Sequence, residues 1–323
     1  MSSLSIIIPH LASDEQLETT LISVLQNRPI DSEVIVVHRG PYNDPYDLKD
    51  EIQLVEVSRE CDLAQCINSA IDVSLGSVVH LLSTGTQVHE AWVDAAMTHF
   101  KNPRVGMVTP LIIDADCPGH ILAAGIGLSL DGSRRLCAAG TEAVSVDKLK
   151  ADSPGPTLSA AFYRRSALDL CGRFESKVGD GLLDLDLALS MRAVGCEERF
   201  EPRIRVVGQA LTVSDASSYL AGRSAERLIW RHAPTIGWTK VLAIHPALAF
   251  AEFAGGCAKL SSWKKLMGRI TGFLEIGQHR AHQRRLRDAI NAHIRMITSE
   301  EDLKLQDETP EMAVRSTSDR KVA

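Results

Sequence analysis

The chain has 323 residues, enough for one large or two smaller domains with a real core, and its 45% apolar and 24% charged content is that of an ordinary globular protein. A net charge of −6 excludes a general nucleic-acid binder, whose work needs a basic surface. Seven cysteines without a CxxC pair or zinc-ligand spacing, and an N-terminus (MSSLSIIIPH) without a basic signal-peptide region, predict a cytosolic protein, and no stretch reaches the roughly 18 clean apolar residues of a membrane span.

Leu4 to Pro9 (LSIIIP) is a short, β-branched, continuous apolar run, the pattern of a strand buried on both faces. Ser13 with Gln16 three residues later makes a capping box, and Leu17, Leu21, Val24 and Leu25 follow at helical spacing. EVIVV at Glu33 to Val37 is a second buried strand, ending in the turn-rich HRGPYNDP. A weaker strand at Ile52 to Val57, a helix at Leu63 to Val73, a strand at Ser77 to Leu82, a helix at Ala91 to Phe100 and a strand at Val105 to Pro110 complete the first half. Such alternation predicts a parallel, doubly wound sheet with helices on both faces, which binds ligands at the carboxyl ends of its strands. Neither a GxGxxG nor a Walker A sequence follows a strand, so a Rossmann dehydrogenase or P-loop enzyme has no motif support.

The middle of the chain, from Ile112 to Asp131, carries the turn residues of a loop and hairpin. Its Asp114 and Asp116 are either weak candidate ligands for a hard cation or part of a solvated turn. Thr157 to Tyr163 reads as a strand and Arg165 to Leu170 as a short helix. Then comes GDGLLDLDLALSMRAVG, Gly179 to Gly195, a largely apolar helix with Asp184 and Asp186 near its start, Arg192 near its end and Gly195 where a C-cap belongs. Carboxylates at the start of a buried helix serve either as caps that complement the helix dipole or as a general base held at a cleft. Residues two apart on a helix point about 200° from one another, so Asp184 and Asp186 face different partners.

In order and spacing, five segments of this chain resemble the family 2 glycosyltransferases, which have the GT-A fold: LSIIIPHLASDEQLETTLISVLQ, EVIVVHRG, GSVVHLLSTGTQVHEAWVDAAMTHFKNPRVGMVTPLI, AAFYRRSALDLCGRFES and GDGLLDLDLALSMRAVGCEERFEPRIRVVG. The resemblance runs from about Leu4 to Gly208. It implies an α/β, GT-A-like, doubly wound, mostly parallel sheet with helices on both faces and a C-terminal helical extension. It also implies transfer of a sugar, with inversion, from a nucleotide-sugar donor to a glycan, lipid-linked or envelope-polysaccharide acceptor. In such enzymes a divalent cation, Mg²⁺ or Mn²⁺, held by an Asp-x-Asp-like loop offsets the charge on the leaving diphosphate, and a carboxylate removes the acceptor proton. Carried over, the donor-binding positions are Pro9, His38, Arg39, Ser83 and Gly85. The base falls on Asp184, and Asp186, Arg192, Arg164 and Arg165 contact substrate, Asp186 by holding backbone or Arg192.

Two positions depart from the pattern. His38 and Arg39 stand where the family has an acid, and the metal loop reads Ser83, Thr84, Gly85, Thr86, with no carboxylate between Asp72 and Glu90. Neutral hydroxyls are poor sole ligands for Mg²⁺ or Mn²⁺. Three readings follow: a transferase whose diphosphate is neutralised by His38, Arg39 or an arginine such as Arg164 or Arg165; a binding module that kept the fold without the reaction; or an inactive scaffold for an active partner.

From Ala221 the pattern is helical: Arg223 to His232, Thr239 to Ala254, Trp263 to Leu274 and Gln278 to Ile297. Between Lys259 and Arg295 basic residues far outnumber the acids, Glu275 and Asp288, and Trp263, Leu266, Met267, Ile270 and Phe273 interleave with them. Either this stretch lies on an anionic membrane at its inner face, or it packs on the sheet domain with a solvated basic face. The predicted division is therefore a GT-A-like domain over 1–215, helices over 216–298 and a polar, disordered tail over 299–323.

Overall fold

The computed structural model describes residues 3–10, 13–42, 44, 47–143, 153, 155–209, 217–295 and 298. The predicted tail at 299–323 and the predicted boundary at 215–216 lie outside these residues. The main sheet runs in the order β10-β5-β9-β4-β1-β2-β3. Its members are β1 (Leu4–His10), β2 (Ser32–Arg39), β3 (Gln53–Val57), β4 (Val78–Leu82), β5 (Val105–Asp114), β9 (Ala160–Arg164) and β10 (Glu197–Gly208). The short β6 (Ile121–Ala123) pairs with β5, and β7 (Ile126–Leu128) and β8 (Arg134–Leu136) form a separate hairpin. The pairs β1–β2, β1–β4, β2–β3 and β5–β10 are parallel, whereas β9 runs antiparallel to both β4 and β5, so the sheet is mixed but mostly parallel.

Both faces of the sheet are covered, which is why the β1 and β2 sequences are continuously apolar rather than alternating. Ile6, Ile8, Val34 and Val36 pack with α1 (Asp14–Gln26) and α3 (Asp94–His99) on one side. Ile7, Ile35 and Val37 pack with α2 (Leu63–Val73), α4 (Arg165–Cys171) and α5 (Leu183–Ala193) on the other. Helix α2 starts in a reciprocal capping box between Asp62 and Gln65, whereas at α1 Ser13 accepts from the Gln16 N–H.

The C-terminal helices are α6 (Ser218–Arg231), α7 (Ala233–Ile236), α8 (Trp238–Ala243), α9 (His245–Gly256), α10 (Leu260–Leu274) and a last helix at 279–295. The single helix expected over Thr239 to Ala254 is two, α8 and α9, because Pro246 lacks the N–H that would continue the ladder and stands in the first turn of α9. Among the described residues no helix is long and apolar enough to cross a membrane.

One polar group sits at the centre of the sheet. The His80 ring on β4 is fully buried and stacks on Phe162, 3.7 Å between centroids. Its Nδ1 lies 3.0 Å from the Ala161 carbonyl oxygen, and the Trp92 Nε1–H donates to its Nε2 at 3.1 Å, a pairing that fixes the neutral Nδ1–H tautomer. Burial pushes its pKa down to about 3 from 6.5. As pH falls below 6.5 the unfolded chain takes a proton that the folded one refuses, so stability present at neutral pH is lost, amounting to roughly 2–3 kcal/mol between about pH 7.5 and 4.5. His245 works in the opposite direction, since the Glu226 hydrogen bond outweighs burial and raises its pKa. Urea unfolding at both pH values, compared between the native chain and His80→Asn, isolates the His80 contribution. An unchanged pH slope in the variant would show that His80 is not its source.

Candidate functional site

Strand register builds one continuous carboxyl edge. Pro9 pairs with Val37, His10 with His38, and Ile7 with Leu81, so β1, β2 and β4 end side by side at Pro9, His38, Arg39 and Ser83. His38 is buried, with Nδ1 2.6 Å from the Gly40 carbonyl oxygen. The Tyr42 ring lies 5.5 Å from the His10 ring, nearly edge-on, and 5.7 Å from the His38 ring. These three rings cluster at the end of this edge. Arg39 is exposed beside it, its Nε–H donating to Cys66 Sγ at 3.4 Å. Arg59 crosses Gly40 so closely that a Cβ there would stand 2.7 Å from its Nε. Arg39 and Arg59 therefore both lie at this edge, and Arg59 is a residue that the sequence pattern did not mark.

The loop after β4 is held from within. Gly85 adopts φ +82°, in the left-handed region that glycine enters without strain, and its N–H donates to the Gln16 carbonyl at 2.9 Å. Ser83 Oγ and Thr86 Oγ1 bond one another at 2.9 Å, and both reach the Ser159 carbonyl oxygen. Both hydroxyls are buried and already committed, and the loop offers no carboxylate, so it does not fit a hard dication.

Asp114 and Asp116 do reach the same edge. Asp114 Oδ1 accepts the Asp116 N–H, which makes a turn of the pair. Asp116 then accepts from Gln209, Gln209 from Gln16, and Gln16 from the Gly85 N–H, a relay with 3.3 Å side-chain steps.

Asp184 lies at the start of α5, 3% exposed, with both carboxylate oxygens taken. The Arg134 Nε–H stands 3.0 Å from each oxygen and Arg134 Nη2 is 2.7 Å from Oδ2. The Leu158 and Leu185 N–H groups donate to it as well. Arg134 belongs to β8, in the irregular middle of the chain, and neither charge pattern nor spacing marked it.

Asp186, two residues on, faces the C-terminal helices. Its Oδ1 is 2.7 Å from Arg231 Nε and 2.7 Å from His232 Nε2. Burial alone would raise its pKa, but the Arg231 charge and the His232 hydrogen bond outweigh it and hold the carboxyl well below the usual range. The expected contact with Arg192 is not made, because six residues along a helix is a rise of about 9 Å. Arg192 instead lines an open cavity of about 360 Å³ with Arg231, Pro234, Thr235 and Arg287.

Arg164 and Arg165 are placed away from the site. Arg164 pairs with Val78 at the amino end of β4, opposite Ser83, and donates to the Val105, Phe100 and Asn102 carbonyl oxygens. Arg165 bonds Ser74 and the Ile71 carbonyl. Because β9 runs antiparallel to β4, the residues at its carboxyl end lie at the end of the sheet opposite Ser83.

No family profile and no curated protein sequence matches the chain. Among solved structures it is similar to GalNAc-T7 in its crystal structure with UDP, GalNAc and Mn²⁺. The alignment has 16% identity and a TM-score of 0.54 over 71% of this chain and 48% of that one, so the chain matches about half of that protein's length. A mannosyltransferase, PcManGT from Pyrobaculum calidifontis in complex with GDP-Man and Mn²⁺, aligns with 15% identity and a TM-score of 0.48 over 90% of this chain and 87% of its own. At such identities the likeness establishes architecture: the fold is α/β and GT-A-like, with C-terminal helices.

Proposed function

We propose that the chain is a glycosyltransferase of family 2 type that binds a nucleotide-sugar donor along the carboxyl edge of β1, β2 and β4. The observation that carries this reading is the register that aligns Pro9, His38, Arg39 and Ser83 on that edge, with the His10, His38 and Tyr42 rings clustered at its end. Arg39 and Arg59 offset the diphosphate charge in place of a metal, since the Ser83–Thr86 loop does not fit one. Asp184 is the base for an inverting transfer, and it becomes available when an acceptor draws Arg134 away.

Calorimetric titration with UDP, GDP and dTDP, with and without Mn²⁺, tests this reading. At least one nucleotide should bind without needing Mn²⁺, and Arg39→Ala or Arg59→Ala should each weaken it about tenfold or more, the worth of one charge-assisted hydrogen bond. Failure of every nucleotide to bind would remove the donor site. The second reading, a GT-A-like scaffold without catalysis, is favoured by the engagement of both Asp184 oxygens with Arg134. It predicts no transfer by the native chain.

The same reading places the C-terminal helices on a lipid surface that carries the acceptor. Helix α9 (HPALAFAEFAGG) is apolar nearly all round, yet His245 is its one buried residue. Such a helix is ordinarily enclosed by protein or lipid. Phe250 on α9 and Ile270 and Phe273 on α10 are exposed and line an apolar cavity of about 400 Å³; Trp263 and Met267 on α10 are exposed as well, with Lys259 and Lys264 nearby in the chain. The expected basic stretch at 259–295 divides in two: α10 presents the apolar face, while the 279–295 helix buries Leu286 and Ala289. Co-sedimentation should show binding to anionic vesicles over zwitterionic ones, weakened by a Phe250→Glu, Trp263→Glu double variant. Equal sedimentation of variant and native chain would count against the surface.

A further inference from the structure

The packing side of the 279–295 helix is built largely from imidazole. Its buried positions, His279, His282, Leu286, Ala289 and His293, alternate at spacings of three and four, the seam that a packed helix fills with aliphatic residues. A ring with two polar nitrogens fills such a seam well only if each nitrogen finds a partner. The His282 ring falls furthest short. Neither ring nitrogen of His282 has a hydrogen-bond partner among the described residues, nor does Nδ1 of His232, whose side chain is fully buried.

The His282 ring and the His232 ring, whose Nε2 bonds Asp186 Oδ1 at 2.7 Å, meet at one carboxylate. One donor atom each from Asp186, His232 and His282 lies within 4.8 Å of the others, and all three residues are buried. The two imidazole rings stand 5.4 Å apart at 80°, edge to face rather than stacked. Ligands of a tetrahedral ion at about 2.0–2.2 Å are roughly 3.4 Å from each other, so small side-chain shifts suffice to close the set.

We propose that Asp186, His232 and His282 form a site for a divalent transition ion of the Zn²⁺ class, which clasps the 279–295 helix to α5 and to the end of α6. Two imidazole nitrogens and one carboxylate oxygen suit Zn²⁺ better than Mg²⁺ or Ca²⁺, which favour all-oxygen shells. Oδ1 keeps Arg231, Oδ2 takes the ion, and His232 gives up its Nε2 hydrogen bond to Oδ1 so that Nε2 binds the ion in its place. Asp186 faces α6 while Asp184 faces β8, so the ion's role is to hold the helix in place, and the proposal does not depend on donor binding.

The test uses the full chain, stripped with a chelator, dialysed and titrated with Zn²⁺ alone. One equivalent should bind and raise the unfolding midpoint by several degrees. Co²⁺ should give the visible ligand-field bands of a tetrahedral site without a thiolate charge-transfer band. His282→Leu keeps an apolar residue in the seam and should weaken Zn²⁺ binding by more than the roughly 10–100-fold typical of losing an outer partner. If the stripped native chain neither binds Zn²⁺ nor gains stability, the site is refuted. Undiminished binding by His282→Leu, or a thiolate band pointing to Cys171 or Cys196, would also overturn the assignment.

Discussion

Replacing Arg134 by alanine is expected to destabilise the protein by about 3–5 kcal/mol, the range for leaving one member of a buried ion pair without its partner. The side chain of Asp184 is almost wholly enclosed, so water cannot take over the contacts that Arg134 makes to both of its oxygens. Asp184→Asn should cost less, because the amide oxygen still accepts from Arg134 and from the Leu158 N–H. Arg134→Met with Asp184→Leu, which removes both charges and keeps volume, should recover much of the loss. Chemical unfolding of the four forms gives the coupling energy, and a value under about 0.5 kcal/mol would mean that the pair is not a clamp. The same variants separate the two readings of Asp184. A base at this position predicts that Asp184→Asn abolishes transfer while nucleotide binding survives; a clamp alone predicts that both follow stability.

Gly268→Ala is expected to destabilise the C-terminal helices by about 3 kcal/mol or more, against the gain of about 1 kcal/mol that alanine brings to an unobstructed helix. The axes of α6 and α10 approach so closely that a Cβ on Gly268 would stand 2.0 Å from the Tyr219 carbonyl oxygen. One on Gly222 would stand 2.1 Å from the Lys265 carbonyl oxygen, and one on Gly272 2.8 Å from that of Arg223. The obstacle is backbone on a neighbouring helix, so the helices must separate rather than a side chain turn aside. Separation also pulls at the buried set in which Glu226 accepts from His245 at 3.0 Å and from Arg269 at 3.3 Å. Thermal unfolding with limited proteolysis of α10 measures the effect. A change within about 0.5 kcal/mol would show that the crossing is looser than this.

The α/β alternation was legible in the chain alone, because local periodicity encodes it. Continuous apolar runs at β1 and β2 require cover on both faces, and the Leu63–Val73 helix matched its pattern from end to end. The lack of a carboxylate in the loop around Gly85 was legible too, a matter of residue identity alone. Orientation was less legible. That β9 runs antiparallel to β4, which sends Arg164 and Arg165 to the far edge, depends on how an irregular connection returns to the sheet. The partners of the two aspartates were beyond reach for the same reason. Asp184 meets an arginine 50 positions earlier, and Asp186 meets a histidine 46 positions later, neither within a helical turn. Burial made those meetings compulsory, since a carboxylate removed from water must find a cation or donors. Only the packing of β8, α6 and the last helix against α5 decided which ones.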